Sequence, residues 1–206
     1  WDSEGANAGH SNLFKPFFVS AHQALTNHNW TVESFYDSGD WQAPHEGDVR
    51  QAIPADIFQA LENRVAVLEP GDQFFLGIAT HGSPSHKVCL SDEQGNKVLI
   101  DVREFRPYLQ GLKDKGVKVA VIDHSCYSGK TVDDYEGSGI CVLSVTNPNT
   151  TGSGDMVWAS VFGRGLEEGQ AIPSHYNRTL PEGEVDLDED GVITASEAFT
   201  FARLHS

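Results

Sequence analysis

Residues 117–129 read VKVAVIDHSCYSG, a run of apolar and β-branched residues that stops at small, turn-forming ones. A second stretch of the same kind, QFFLGIATHG, covers residues 73–82. Continuous apolar runs of this length that end at turn residues are typical of buried parallel strands. Because the reactive groups of open α/β sheets collect at the carboxyl ends of such strands, we expect His81 and Cys126 to lie together.

The rest of the chain alternates strand-like and helix-like segments. The pattern predicts strands over 30–36, 73–80, 117–123 and 140–146, a hairpin over 88–100, and helices over 12–26, 54–67, 101–115, 156–166 and 196–204. Asp101 is the predicted N-cap of its helix, and Gly116 the residue that closes it. This order favours an α/β fold, a three-layer sandwich with a mainly parallel central sheet and helices on both faces.

Composition restricts the class of protein. With 206 residues and 39% hydrophobic content, the chain suits one domain over residues 1–206. It has no apolar stretch of 18 residues and no signal-peptide pattern, so no membrane partner is expected. Fourteen basic against thirty acidic residues give a formal charge of −16, which repels phosphate backbones and excludes nucleic acid as an expected partner. Such a surface suits basic peptides or calcium, or simply keeps a protein soluble.

The three cysteines have different surroundings. They are too few for a disulfide framework in a chain of this length. Cys89 and Cys141 sit within apolar runs and are predicted to be buried as small hydrophobic residues. Cys126 follows its strand and lies among Ser125, Tyr127, Ser128 and Gly129, which predicts an exposed turn. A reactive thiol needs that accessibility.

His81 and Cys126 together suggest nucleophilic catalysis. A histidine within reach raises the thiolate fraction of a cysteine or protonates the leaving amine. Gly82 and Gly129 let a substrate approach the backbone closely. His124 competes with His81 as the base, but it precedes Cys126 on the same strand and so ranks lower. The sequence therefore predicts a cysteine hydrolase.

The two strand ends carry a family resemblance. A strand ending in His-Gly, then a hairpin, a helix and a strand ending in Ser-Cys-Tyr-Ser-Gly resembles the caspase-like cysteine peptidases, and their bacterial branch most. The resemblance covers residues 30–204. It implies an endopeptidase in which His81 and Cys126 form a dyad and the backbone N–H groups of Gly82 and Cys126 form the oxyanion hole. Each such donor contributes about 3 kcal/mol to transition-state stabilisation.

The resemblance also bears on the substrate, a peptide or protein. Relatives that cleave after arginine or lysine carry an acid two residues before the cysteine, where this chain has His124. The acid here is Asp123, which strand alternation places on the opposite side. Asp123, His124 and Ser144 are the candidate substrate-binding residues, and a basic residue is expected before the scissile bond. Lys130, which opens an acidic segment predicted to be flexible, is a candidate self-cleavage site.

A second motif lies near the C-terminus, where residues 186–197 read DLDEDGVITASE. The stretch matches the twelve-residue calcium loop, with a glycine, Gly191, at position six. The candidate ligands are Asp186, Asp188, Asp190, Val192, Thr194 and Glu197. A capping box also explains Thr194 and Glu197, but it does not explain three alternating aspartates before a glycine. Calcium is therefore the one expected cofactor, and no organic cofactor is expected.

Two other classes of function remain open. The chain is alternatively a catalytically inactive caspase-like binding module, or a calcium-dependent interaction domain. The presence of both His81 and Cys126 argues against the first, and a single loop without a paired partner argues against the second. The sequence predicts a cysteine endopeptidase capable of self-processing.

Overall fold

The computed structural model describes residues 22, 25–26, 29–36, 49–151, 186–191, 194, 196–197 and 200. The described residues of 35–151 belong to one compact unit, and those of 22–34 and 186–200 belong to a second. The described strands are β1 (Ser34–Tyr36), β2 (Val49–Gln51), β3 (Gln73–Ala79), β4 (Lys87–Ser91), β5 (Lys97–Asp101), β6 (Lys118–His124) and β7 (Cys141–Ser144). The described helices are α1 (Pro54–Val67), α2 (Arg106–Asp114) and α3 (Gly129–Tyr135), with a 3-10 turn at Val102–Phe105. The prediction of a single domain stays a prediction.

A parallel sheet carries the two strands that the sequence singled out. Its order is β3-β6-β7, so β6 lies in the middle of the described strands. β3 pairs with β6 from Gln73↔Lys118 to Ala79↔His124, and β6 pairs with β7 from Ala120↔Cys141 to Asp123↔Ser144. Apolar side chains on both faces explain why these strands are buried in parallel pairing. The predicted α/β class is thereby confirmed.

The segments between β3 and β6 follow their local signals. β4 and β5 form the predicted antiparallel hairpin. Asp101 accepts a hydrogen bond from the N–H of Arg103, and the side chain of Glu104 accepts one from the N–H of Asp101. This capping box confirms Asp101 as the N-cap, although the helix starts as a 3-10 turn and becomes regular only at α2, whose first turn contains a proline. Gly116 has φ +89° and closes the helix as predicted.

The core lies where α2 meets the sheet and α1. Leu109 and Leu112 of α2 have no exposed surface, and Phe58 of α1 stacks on Tyr108 with ring centres 5.7 Å apart. The buried members of this cluster include Leu61, Ile78, Val88, Val102, Phe105, Val117, Val119, Val121 and Ile140. This packing covers one face of β3 and β6, the strands that lead to His81 and Cys126.

Several predictions of local structure were wrong. The strand over 30–36 is confined to β1, which pairs with the unpredicted β2. Lys130 does not open a flexible segment, because it lies within α3, where Thr131 is 0% and Tyr135 2% exposed. Residues four apart share one helix face, so burying this pair stabilises a helix over a loop. Cys141 is exposed instead of buried, because it is the first residue of β7 at an edge of the described sheet.

Some predicted elements lie outside the described residues. These are the helix over 156–166 and most of the helices over 12–26 and 196–204. Val192, a candidate calcium ligand, also lies outside them. Among the residues that are described, the helices are too short or too polar for any of them to span a membrane.

Candidate active site

The ends of β3 and β6 bring His81, Gly82 and Cys126 to the same place. Ala79 and His124 are direct partners in the parallel register, and His81 and Cys126 each lie two residues further along. A Cβ atom built on Gly82 would lie 2.1 Å from the carbonyl oxygen of Cys126 and 3.0 Å from its amide nitrogen. The backbones of the two residues are thus in direct contact, a contact that only a residue without a side chain allows.

The loop that carries His81 is pinned to β4. The N–H of Cys89 donates to the carbonyl of His81 at 3.0 Å, and the N–H of Ser83 donates to the carbonyl of Lys87 at 2.9 Å. These two bonds flank the antiparallel bridge between Gly82 and Val88. Gly82 therefore occupies a non-hydrogen-bonded position, at which the backbone N–H points away from the partner strand. The N–H of Gly82 is therefore not used in the pairing with β4 and is available to another acceptor.

The turn that carries Cys126 is held by the segment after β7. Tyr127 has φ +63°, a left-handed conformation that is strained for a residue with a side chain. Its N–H donates to the carbonyl of Thr150 at 2.9 Å, and the N–H of Ser128 donates to Oγ1 of Thr146 at 2.9 Å. Strain of about 1–3 kcal/mol persists where the surroundings fix the backbone, and such positions cluster at active sites. Cys126 itself is half-buried.

Gly129 adds a further contact between the Cys126 turn and the segment after β7. A Cβ atom on Gly129 would lie 2.4 Å from the nitrogen of Pro148, so the first turn of α3 packs directly on the backbone after β7. The sequence predicts that this glycine lets a substrate approach the backbone closely. The structure instead uses its small size for packing within the protein.

Asp123 is enclosed within the protein. The residue is 0% exposed, and its Oδ2 accepts a hydrogen bond of 2.5 Å from Oγ1 of Thr131 on α3. Burial raises the pKa of Asp123, while hydrogen bonds from Ser125 and Thr131 lower it. This burial gives no support to a contact between Asp123 and a substrate, and that role stays a prediction.

The other two candidate substrate-binding residues are also internal to some degree. His124 is 6% exposed, and burial lowers its pKa, so its imidazole is neutral at physiological pH. Ser144 is half-buried opposite Asp123, and its Oγ donates to the carbonyl of Thr146 at 3.2 Å. Neither observation assigns a contact with substrate, and these two roles stay predictions.

The sequence does not predict a polar cluster that lies near the carboxyl ends of β3 and β6. His86, which is 9% exposed, contacts Oγ1 of Thr131 through Nε2 at 3.0 Å and lies against the carboxylate of Asp134 through Nδ1. The same Thr131 donates to Asp123. No spacing in the sequence indicates these contacts, because His86 and Thr131 are 45 residues apart.

The calcium-loop motif forms a compact turn. One oxygen from each of Asp186, Asp188 and Asp190 lies within 4.8 Å of the others. Oxygens on opposite sides of a calcium ion are about 5 Å apart, since each Ca–O distance is about 2.3–2.6 Å. Gly191 has φ +82°, the conformation that position six requires. The three aspartates therefore fit a calcium ion.

Glu197 closes the same loop. Its Oε2 accepts from the N–H and hydroxyl of Thr194 at 2.8 and 2.7 Å. The N–H of Glu197 donates to Oγ1 of Thr194 at 3.3 Å, and this bond and the one from the Thr194 N–H make the capping box. Oε1 of Glu197 accepts from the N–H of Leu187 at 2.8 Å, a bond that a capping box does not include. The hydrogen bonds from Thr194, more than any other cause, hold the pKa of Glu197 below its usual range. The carboxylate is therefore ionised and lies over the start of the loop, as a twelfth-position ligand requires.

No family model matches the chain, and no curated protein is similar enough to it to count as a match.

Proposed function

We propose that the protein is a cysteine endopeptidase with His81 and Cys126 as its dyad. The observation that supports this most is the contact between Gly82 and Cys126 at matched ends of two parallel strands. This contact supports the proposal because it brings together the backbones of Cys126 and of Gly82, the residue after His81. Acyl transfer needs a nucleophile, a base and backbone N–H donors at the position where negative charge develops.

The reaction follows from these groups. The Cys126 thiolate attacks the scissile carbonyl and forms a tetrahedral intermediate, whose oxyanion receives hydrogen bonds from the N–H groups of Gly82 and Cys126. His81 then protonates the leaving amine, and a thioester to Cys126 results. A water molecule, deprotonated by His81, attacks the thioester and releases the acid and the free thiol.

We propose a caspase-like architecture for the surroundings of this site. The central place of β6 and the packing of α2 against it support a larger, mainly parallel sheet covered by helices on both faces. An experimentally determined structure of the whole chain tests this proposal. A sheet that contains further parallel strands beside β3 or β7 is the expected result.

The substrate preference is proposed on charge. A formal charge of −16 raises the local concentration of cationic peptides, which favours cleavage after arginine or lysine. Asp123 no longer supports this preference, because it is enclosed. Self-processing at Lys130 would require α3 to unwind, since the Lys130 ammonium donates to the carbonyl of Pro84 from within the helix.

We further propose that Asp186, Asp188, Asp190, Thr194 and Glu197 bind calcium. The fit of the three aspartates and the bond from Leu187 to Glu197 support this site. Calcium there acts by neutralising carboxylates that would repel one another, and so it stabilises the folded loop.

The decisive test is peptide hydrolysis with matched variants. Fluorogenic peptides with arginine, lysine, asparagine, aspartate or leucine before the scissile bond are compared side by side. Cys126→Ala and His81→Ala should each abolish turnover, whereas Cys141→Ala, which removes an exposed thiol outside the site, should not change it.

Each part of the proposal can fail separately. A preference for aspartate or leucine would contradict the basic specificity but not the dyad. If His81→Ala turned over normally and His124→Ala did not, His124 would be the base. A folded protein that cleaves no peptide in the panel and shows no His81-dependent thiol reactivity would favour an inactive binding module.

A further inference from the structure

The polar cluster near the carboxyl ends of β3 and β6 joins the two loops of the proposed active site. His86 follows the His81–Gly82 segment and leads into β4, whereas Thr131 and Asp134 belong to α3, which starts three residues after Cys126. His86 contacts both of these α3 residues, with a distance of 3.0 Å from its Nε2 to Oγ1 of Thr131. The cluster therefore spans from one catalytic loop to the other.

The direction of each hydrogen bond follows from the donors present. The Thr131 hydroxyl has one hydrogen, and it donates that hydrogen to Asp123. Toward His86 the same oxygen accepts, so Nε2 of His86 carries a hydrogen. The other ring nitrogen, Nδ1, faces the carboxylate of Asp134. His86 is held between two acidic groups, one contacted directly and one through Thr131.

The backbone of His86 is shaped for this contact. His86 has φ +62°, a conformation that a residue with a side chain adopts only where its surroundings fix it. Its N–H donates to the carbonyl of Ser83 at 3.0 Å, and its carbonyl accepts from the N–H of Val102 at 3.3 Å. These bonds turn the buried imidazole toward α3.

A second contact runs beside the first. The Lys130 side chain, from the first turn of α3, donates to the carbonyl of Pro84. Pro84 and His86 lie on the loop just after Gly82, and Lys130 and Thr131 lie just after Cys126. Two neighbouring pairs, His86–Thr131 and Pro84–Lys130, thus connect the same two segments. We call these two contacts together the brace.

We infer that His86 and Thr131 are positioning residues that set the placement of the His81–Gly82 loop against the Cys126 turn. This role rests on the proposed peptidase function as far as turnover is concerned, because the brace holds the oxyanion donor and the base relative to the nucleophile. Displacements of about 1 Å at such a site cost about 10²-fold in rate. The brace itself is a property of the fold and is measurable without a substrate.

The test uses three variants and two measurements. Thr131→Val removes the hydroxyl at nearly constant volume, Thr131→Ser keeps it, and His86→Asn keeps a residue that tolerates φ > 0 but shortens the side chain. Amide hydrogen exchange is followed over residues 82–86, with the hairpin turn at 92–96 as the internal reference. Turnover of the preferred peptide is measured well below the melting temperature of each variant.

Thr131→Val and His86→Asn should speed exchange over 82–86 by about tenfold or more while leaving 92–96 unchanged, because local opening of the loop becomes easier. Both should lower kcat by about 10–10²-fold with KM changed less than about twofold, as loss of positioning predicts. Thr131→Ser should match the wild type in both measurements.

Two outcomes would overturn the inference. The first is wild-type exchange over 82–86 in Thr131→Val, and the second is a variant with a lower melting temperature but unchanged kcat and exchange. If the wild type has no peptidase activity, the proposed function fails, while the exchange measurement still decides whether the brace exists.

Discussion

Gly82→Ala is the substitution that tests the active site most directly. The added methyl group would lie 2.1 Å from the carbonyl oxygen of Cys126, whereas nonbonded C···O contacts begin at about 3.3 Å. The backbones must therefore separate by about 1.2 Å. Both atoms in the clash are fixed to the main chain, so no side-chain rotation relieves it.

The expected loss follows from that displacement. Misplacing reacting groups by about 1 Å costs about 10²-fold, and removing one oxyanion donor costs about 10²–10³-fold in kcat. We expect kcat to fall by about 10²–10³-fold, which corresponds to about 2.7–4 kcal/mol. KM should change little, because the lost interaction forms mainly in the transition state.

The assay is steady-state hydrolysis of the preferred peptide, with circular dichroism to confirm that the variant is folded. Gly111→Ala is the matched control. Its methyl group would meet Cγ1 and Cγ2 of Val65 at the ordinary contact distances of 3.6 and 3.9 Å, and alanine favours the α2 helix by about 1 kcal/mol over glycine. A Gly82→Ala variant with normal kcat would refute the backbone contact from which the placement of the Gly82 N–H is argued.

Three further predictions concern acid stability, calcium and thiol reactivity. Burial lowers the pKa of His124, so below the unfolded pKa of about 6.5 the unfolded chain takes up a proton at this residue more readily than the folded protein. The free energy of unfolding is therefore unaffected above that pKa and falls with decreasing pH below it, by up to about 1.4 kcal/mol per pH unit. Urea unfolding at pH 7.5 and 5.5 should therefore show a smaller loss of stability for His124→Gln than for the wild type; equal losses would contradict the burial argument. Calcium at about 100 times its Kd should add about 2.7 kcal/mol of stability, an effect that Asp190→Asn removes and Glu189→Gln, at a non-ligand position of the same loop, retains. A melting temperature that is the same with added calcium and with chelator would leave the capping box as the only role of the loop. Iodoacetamide should modify half-buried Cys126 faster than exposed Cys141, and this order should disappear without the dyad histidine. Faster modification of Cys141 in the wild type would contradict an activated nucleophile.

The features predictable from the sequence are those with local causes. The strands β3 and β6 have continuous apolar runs, and the Asp101 capping box and Gly116 have specific helix-end signals. The parallel pairing of β3 and β6 follows from the helix in the connection between them. The close approach of the residues that follow these strands, His81 and Cys126, could therefore be predicted as well.

The features that the sequence did not reveal depend on distant contacts. Asp123 lies on β6 and accepts a hydrogen bond from Thr131 on α3, so its surroundings depend on how the helix packs against the strand. Period-two alternation alone does not indicate which residue a buried carboxylate contacts. The position of Cys141 depends on which strand ends the described sheet, because an apolar run reads the same at an edge as in the centre. His86 finds its partners 45 residues away, beyond the reach of any motif.

The close approach at Gly82 has a consequence for protein evolution. The obstacle to a side chain at this position is the backbone of Cys126 and not its sulfur. A relative that exchanged the cysteine for another residue would still need the glycine for as long as the two strands kept their spacing. Among descendants of this fold, the glycine thus marks inherited backbone geometry, and under the proposed dyad the cysteine marks retained chemistry. On that proposal, a sequence that keeps the glycine and loses the cysteine would keep the geometry of the site without its nucleophile.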